Sequence, residues 1–164
     1  RALAARAGLE VKGPGPDTGD ERALFGPAWA DVDGNGCDTR NDILARDLTD
    51  LTFSTRGAAR PVRPGTFDDP ATGETTDFRR GNATSAAVQI DHVVPLLDAW
   101  RKGARAWDDE TRRQFANDPL NLLASDGPAN QSKGARDASA WLPPNQSLKH
   151  IIRCRRHRTC RSRG

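Results

Sequence analysis

The chain has 164 residues, 35% of them hydrophobic and 29% charged, with 15 glycines and 11 prolines, and a mean hydropathy of −0.74. That length supports one domain with its own core, and the composition predicts a loop-rich fold rather than a long helical bundle. No stretch approaches the run of about 18 apolar residues that a membrane-spanning helix needs, so no membrane partner is expected.

The formal net charge is +3 and the pI about 9.1, but the basic character is local. Residues 146–164 hold Lys149, Arg153, Arg155, Arg156, Arg158, Arg161 and Arg163 and no acid. Removing those seven cations from +3 leaves −4 for residues 1–145. Attraction to nucleic acid through net charge is therefore a property of the tail and not of the body. The chain starts at Arg1 and contains no Met, which reads as a processed product whose signal peptide, if it had one, is gone. The expected organisation is a domain over 1–145 and a basic Arg-rich tail over 146–164.

In chain order, residues 1–12 mix Ala, Leu and Arg as a short helix does, and "GPGPDTGD" breaks it. Phe25 and Trp29 then stand four apart, on one face of a possible helix. Ile43, Leu44, Leu48 and Leu51 recur at helical spacing and predict a helix over Thr39–Thr49, with Asp38 as its N-cap. Residues 57–73 carry three prolines and must be extended or turning. Val88–Val94 is apolar and β-branched and reads as a strand stopped by Pro95. "LLDAWRKGARAW" and "DDETRRQFAND" predict two short helices, the second with acids in its first turn. Leu120–Ala124 is a second strand, and "GPANQSKGARDASAWL" a helix closed by Pro143 and Pro144.

Two stretches compete to carry function. "DVDGNGCDTRND" places Asp31, Asp33 and Asn35 at positions 1, 3 and 5 of a calcium loop, Gly36 at 6 and Asp42 at 12. Position 8 is Asp38 rather than an apolar residue, and position 12 is Asp rather than a bidentate Glu. The other stretch is "QIDHVVPL". Asp91 and His92 are adjacent on a strand and serve one substrate only if the strand ends or bulges there. Given that, Asp91 can hold a hard divalent cation while His92, with an ordinary pKa near 6.5, takes a proton from water. Such a cation needs few protein oxygens, and Asn130 at the start of the last helix can supply a second.

"IDHVVPL" followed by "DPLNLLASDGPANQSKG" resembles the HNH, or ββα-metal, endonuclease motif. "LFGPAWADVDGNGCDTRNDIL", "FDDPATG" and "RRGNATSAAVQIDHVVPLLDAWRKGA" extend the resemblance to secreted bacterial HNH nucleases related to the nuclease domain of GmrSD-type restriction enzymes, over roughly Leu9–Asn145. The resemblance implies an α+β single domain: a ββα-metal core of a short antiparallel hairpin packed on a helix, flanked by short helices and loops. It implies Asp91 and Asn130 as metal ligands, His92 as general base, and Asn121 as the residue that pins the strand-loop geometry and orients His92. It further implies one divalent metal, Mg²⁺ or Mn²⁺, a DNA or RNA substrate cut with little sequence preference, a monomer, and secretion. Lys133 and Arg40 are candidate substrate-phosphate contacts, with a surface lysine and an Arg40–carboxylate pair as the plain alternatives; Gln89 is either a contact to metal-bound water or core packing.

The chain departs from the family before "GTFDDPATG", where a Cys is usual and none stands, and at Ala71, where Tyr is common. After "WLPPN" it turns to the basic tail. Cys37 can pair with Cys154 or Cys160, while Cys154, His157 and Cys160 give three zinc-type ligands at unusual spacing. The competing functional reading is a calcium-binding extracellular module, or an inactive nuclease-like protein that binds nucleic acid.

Overall fold

The computed structural model describes residues 13–19, 22–55 and 61–145. The helix expected over 1–12, the basic tail and the cysteine and zinc readings that involve Cys154 and Cys160 lie outside the described residues. Within them the fold is α+β: two antiparallel hairpins, four short helices and two 3₁₀ turns.

The first 3₁₀ turn, Arg22–Phe25, is followed by α1, Thr39–Asp47. The Asp38 side chain caps α1 by accepting from the Asn41 N–H at 2.7 Å, as an N-cap carboxylate does. α1 ends two residues before the predicted boundary because Leu48 adopts extended backbone. β1 (Pro64–Asp68) and β2 (Thr75–Arg79) form a hairpin that the Pro-rich text hid; its register runs from Pro64 opposite Arg79 to Asp68 opposite Thr75. Alternation explains it: Phe67 and Phe78 both point inward and are 1% exposed, each burial contributing roughly 1.5–3 kcal/mol.

β3 (Val88–His92) pairs with β4 (Leu122–Asp126), Val88 opposite Asp126 and His92 opposite Leu122. Between them run α2 (Leu96–Arg101), a 3₁₀ turn at Ala104–Ala106, and α3 (Asp109–Ala116). α4 is Gly127–Lys133, much shorter than the helix predicted to reach Pro143. Gly134 stops it at φ +55, a left-handed conformation suited to glycine.

Two apolar clusters organise the chain. One joins Ile43, Leu44 and Leu48 of the α1 region to Val62, Phe67, Phe78, Val88, Ile90, Leu122 and Ala124. The other gathers Phe25, Ala99, Trp100, Ala104 and Ala116. Phe25 and Trp29 do not share a helical face: Phe25 packs with Trp100, ring centroids 6.3 Å apart, while Trp29 packs against the first cluster.

α1 is tied to the β3–β4 hairpin by polar contacts to its backbone. Arg40 Nη2 donates to the carbonyls of Val88 at 3.0 Å and Ser85 at 3.2 Å. Arg46 donates to Pro119 O and Leu122 O, both at 2.7 Å. Asp47 Oδ2 accepts from the Ala124 N–H at 2.8 Å. The nine-residue α1 thereby holds the start of β3 and the first half of β4.

Candidate active site at the end of the β3–β4 hairpin

Asp91 and His92 are both in regular register, opposite Leu123 and Leu122, and the strand gives way to a bend only after His92. Strand alternation sends Asp91 toward α4 and His92 to the face of Val88 and Ile90.

On the α4 side, the Lys133 ammonium donates to both Asp91 carboxylate oxygens at 2.8 Å and to His92 O at 2.6 Å. Its three N–H donors are thus all engaged. The pair is buried, with side-chain exposures of 9% for Lys133 and 12% for Asp91. Burial pushes the Asp91 carboxyl above its usual range, and the Lys133 charge opposes that push. One turn earlier on α4, Asn130 Nδ2 donates to Gln89 Oε1 at 2.9 Å. Gln89 therefore orients the Asn130 amide, a role neither of its expected readings included. With its nitrogen turned to Gln89, Asn130 offers its oxygen as the remaining acceptor.

On the other side, His92 Nε2 lies 2.9 Å from Ala116 O at the end of α3. A carbonyl only accepts, so Nε2 carries the proton and Nδ1 is the basic nitrogen. The Trp29 indole stacks nearly parallel to the imidazole, with centroids 6.2 Å apart and planes at 16°. Burial is the main cause that pushes the His92 pKa down to about 4; the Ala116 bond raises it, and the charges of Arg22 and Lys133 lower it further. His92 is thus neutral at pH 7 and a weaker base than the ordinary imidazole assumed from sequence.

Asn121, 7% exposed, grips the bend after β3. Its Oδ1 accepts from the Val94 N–H at 2.8 Å, its Nδ2 donates to Val94 O at 3.3 Å, and its own carbonyl accepts from the Val93 N–H at 2.8 Å. Arg40 lies at the far end of β3, bound to main-chain carbonyls rather than to a carboxylate. Lys133 is buried rather than on a helix surface.

Sequence reasoning missed Trp29, Arg22, Ala116 and the orienting role of Gln89. No local pattern links Trp29 or Arg22 to His92, which is more than 60 residues away. Arg80 is spent on Val62 O and Asn41 and Arg101 pairs with Asp17, while Arg79 and Arg105 are exposed.

Asp91 and Asn130 are the residues that could hold a hard divalent cation: a carboxylate and an amide oxygen from adjoining strand and helix, with the Lys133 ammonium bound to both Asp91 oxygens. The 31–42 loop is organised differently: Asp31 accepts from the N–H groups of Gly34, Asn35 and Gly36, and Asn35 Nδ2 reaches Asp33 and Asp42. Among the described residues, no three Asp, Glu, His or Cys side chains converge as a metal cluster.

A hairpin and helix bearing Asp-His, Asn and Asn-x-x-Lys point to a nuclease domain, and comparison with known proteins gives the same class. The family model described as GmrSD restriction endonucleases, C-terminal domain, matches residues 38–159, and the chain belongs to this family. It is also 38% identical over 143 residues to a protein of Arthroderma benhamiae (strain ATCC MYA-4681 / CBS 112371) named "Uncharacterized secreted protein". That alignment covers 86% of this chain and 65% of the relative, so the chain spans just under two thirds of the relative's length. The relative's name agrees with the secretion expected from sequence, and no described helix is long and apolar enough to cross a membrane. No solved structure matches.

Proposed function

We propose that the chain is an HNH-type, metal-dependent endonuclease that hydrolyses phosphodiester bonds of DNA, with RNA as a second substrate, acting as a monomer and with little sequence preference. The observation that carries this reading is the 2.9 Å contact of His92 Nε2 with Ala116 O: because a carbonyl only accepts, it engages Nε2–H and leaves Nδ1 as the acceptor of a proton from water.

Asp91 and Asn130 would hold one divalent metal, Mg²⁺ or Mn²⁺; when bound it supplies charge neutralisation for the phosphate and the leaving oxygen. The residues of the chain do the rest. His92 accepts the proton of the attacking water. Its pKa of about 4 makes it a reluctant base in the free protein, and the negative charge of the phosphodiester brought beside it raises that basicity where it is used. Arg22, whose charge is felt at His92, is a contact for the substrate phosphate, together with Lys133 once it is drawn from Asp91. Asn121 keeps the bend after β3 in place, and Gln89 keeps the Asn130 oxygen available. Arg40 acts by holding the start of β3. Phosphate and sugar contacts dominate such a site, which accounts for weak base preference.

The test is cleavage of supercoiled plasmid by the purified protein in EDTA and after addition of Mg²⁺ or Mn²⁺. Nicking that requires the metal supports the reading; a protein that cuts neither DNA nor RNA under any of these conditions overturns it.

A further inference from the structure

Trp29 occupies a place that its local sequence does not explain. It sits at φ +59, a left-handed conformation that a bulky side chain rarely adopts. Strained backbone of this kind persists when the surrounding structure holds it, and it concentrates at functional sites. The neighbouring peptide is anchored: the Thr39 hydroxyl at the start of α1 donates to Ala30 O at 2.5 Å. The indole leans on the α1–β core cluster on one side and stacks nearly parallel to the His92 ring. Core packing alone can use any large apolar side chain at any ring angle. The near-parallel face against an imidazole is a more specific arrangement.

We propose that Trp29 is the positioning residue of His92: its indole forms a wall that fixes the imidazole plane, so that Nε2–H stays on Ala116 O and Nδ1 is presented to the substrate water. The inference rests on the nuclease reading for its catalytic consequence, but not for its structural one. Among the described residues the imidazole has one hydrogen bond, to Ala116 O, and a single bond lets the ring swivel about its axis. A flat wall removes that freedom, and offset aromatic stacking favours the parallel orientation. The cost of losing the wall is orientational, so it falls on turnover more than on substrate binding.

The experiment compares the wild type with Trp29→Phe, which keeps an aromatic wall, and Trp29→Leu, which keeps apolar volume without one. The first readout is ¹⁵N–¹H NMR of the His92 ring at fixed pH without metal. Wild type and Trp29→Phe are expected to show one Nε2–H tautomer, and Trp29→Leu an averaged pair. The second is cleavage, where Trp29→Leu is expected to lose about 10- to 100-fold in kcat with KM changed less than threefold, and Trp29→Phe to retain most of the activity. A Trp29→Leu protein with a single Nε2–H tautomer and wild-type kcat overturns the inference. If the wild type cleaves nothing, the nuclease reading fails and the NMR comparison still decides whether Trp29 positions the ring.

Discussion

The ammonium of Lys133 stands 2.8 Å from each carboxylate oxygen of Asp91, across 42 residues of sequence, and with its third proton holds the carbonyl of His92 at 2.6 Å. One buried cation therefore fixes both residues of the Asp-His pair. It also occupies the carboxylate that a metal would share. Lys133→Met should destabilise the fold by about 3–5 kcal/mol, because it leaves a buried carboxylate without its partner. The double variant Asp91→Asn, Lys133→Met should recover much of that loss. Urea denaturation of the wild type and both variants checks both statements; a Lys133→Met protein as stable as the wild type would show the pair to be incidental.

His92 predicts how stability follows pH in metal-free protein. Below its ordinary pKa of 6.5 the unfolded chain binds a proton that the folded chain refuses until about pH 4. Stability therefore falls as pH drops from about 6.5 toward about 4, by up to about 3 kcal/mol. Above pH 6.5 neither state holds the proton and this contribution is flat. His92→Phe should remove this part of the slope, which chemical denaturation in EDTA across pH 4–8 measures.

Gly127 opens α4 and is constrained by close approach. A Cβ there would lie 2.4 Å from Ala86 O, a backbone atom that cannot swing aside. Gly127→Ala should cost about 1–3 kcal/mol by pushing α4 away from the segment that precedes β3. Because α4 carries Asn130 and Lys133, activity should fall further than stability alone explains. Melting temperature and specific activity measured together separate the two.

Asn121 serves the site without an expected substrate contact. Asn121→Ala leaves the Val94 N–H without its partner and should cost about 1–3 kcal/mol. If the bend after β3 sets where His92 sits, kcat falls while substrate affinity, followed by binding in EDTA, is unchanged. Loss of affinity at unchanged kcat would assign Asn121 to the substrate instead.

The hairpin and helix of the site were legible because their determinants are local. Val88 and Ile90 alternate with Gln89 and Asp91, Pro95 limits the strand, and Asp126 caps α4 by accepting from the Ala129 N–H at 2.8 Å. The length of α4 was not legible, since it is decided by one positive φ at Gly134 and the text beyond still reads as helix-forming. The β1–β2 hairpin was masked by prolines that sit at its start and in its turn, where strands tolerate them. Residue types at the site could be chosen from sequence, but their partners could not. Lys133 on Asp91, Asn130 on Gln89 and Trp29 on His92 are contacts made by the tertiary fold, and each changes the chemistry that the isolated residue suggests. His92 illustrates the point: read alone it titrates near neutrality, and buried beside Trp29 with Nε2 on Ala116 O it does not.

The most direct measurement is the rate of plasmid nicking by His92→Ala beside the wild type, at saturating Mg²⁺, with folding and DNA association verified in parallel. The result expected is a loss of at least about 100-fold in cleavage with the fold retained and DNA association little changed. A His92→Ala protein that cuts as fast as the wild type would contradict the assignment of His92 as the general base.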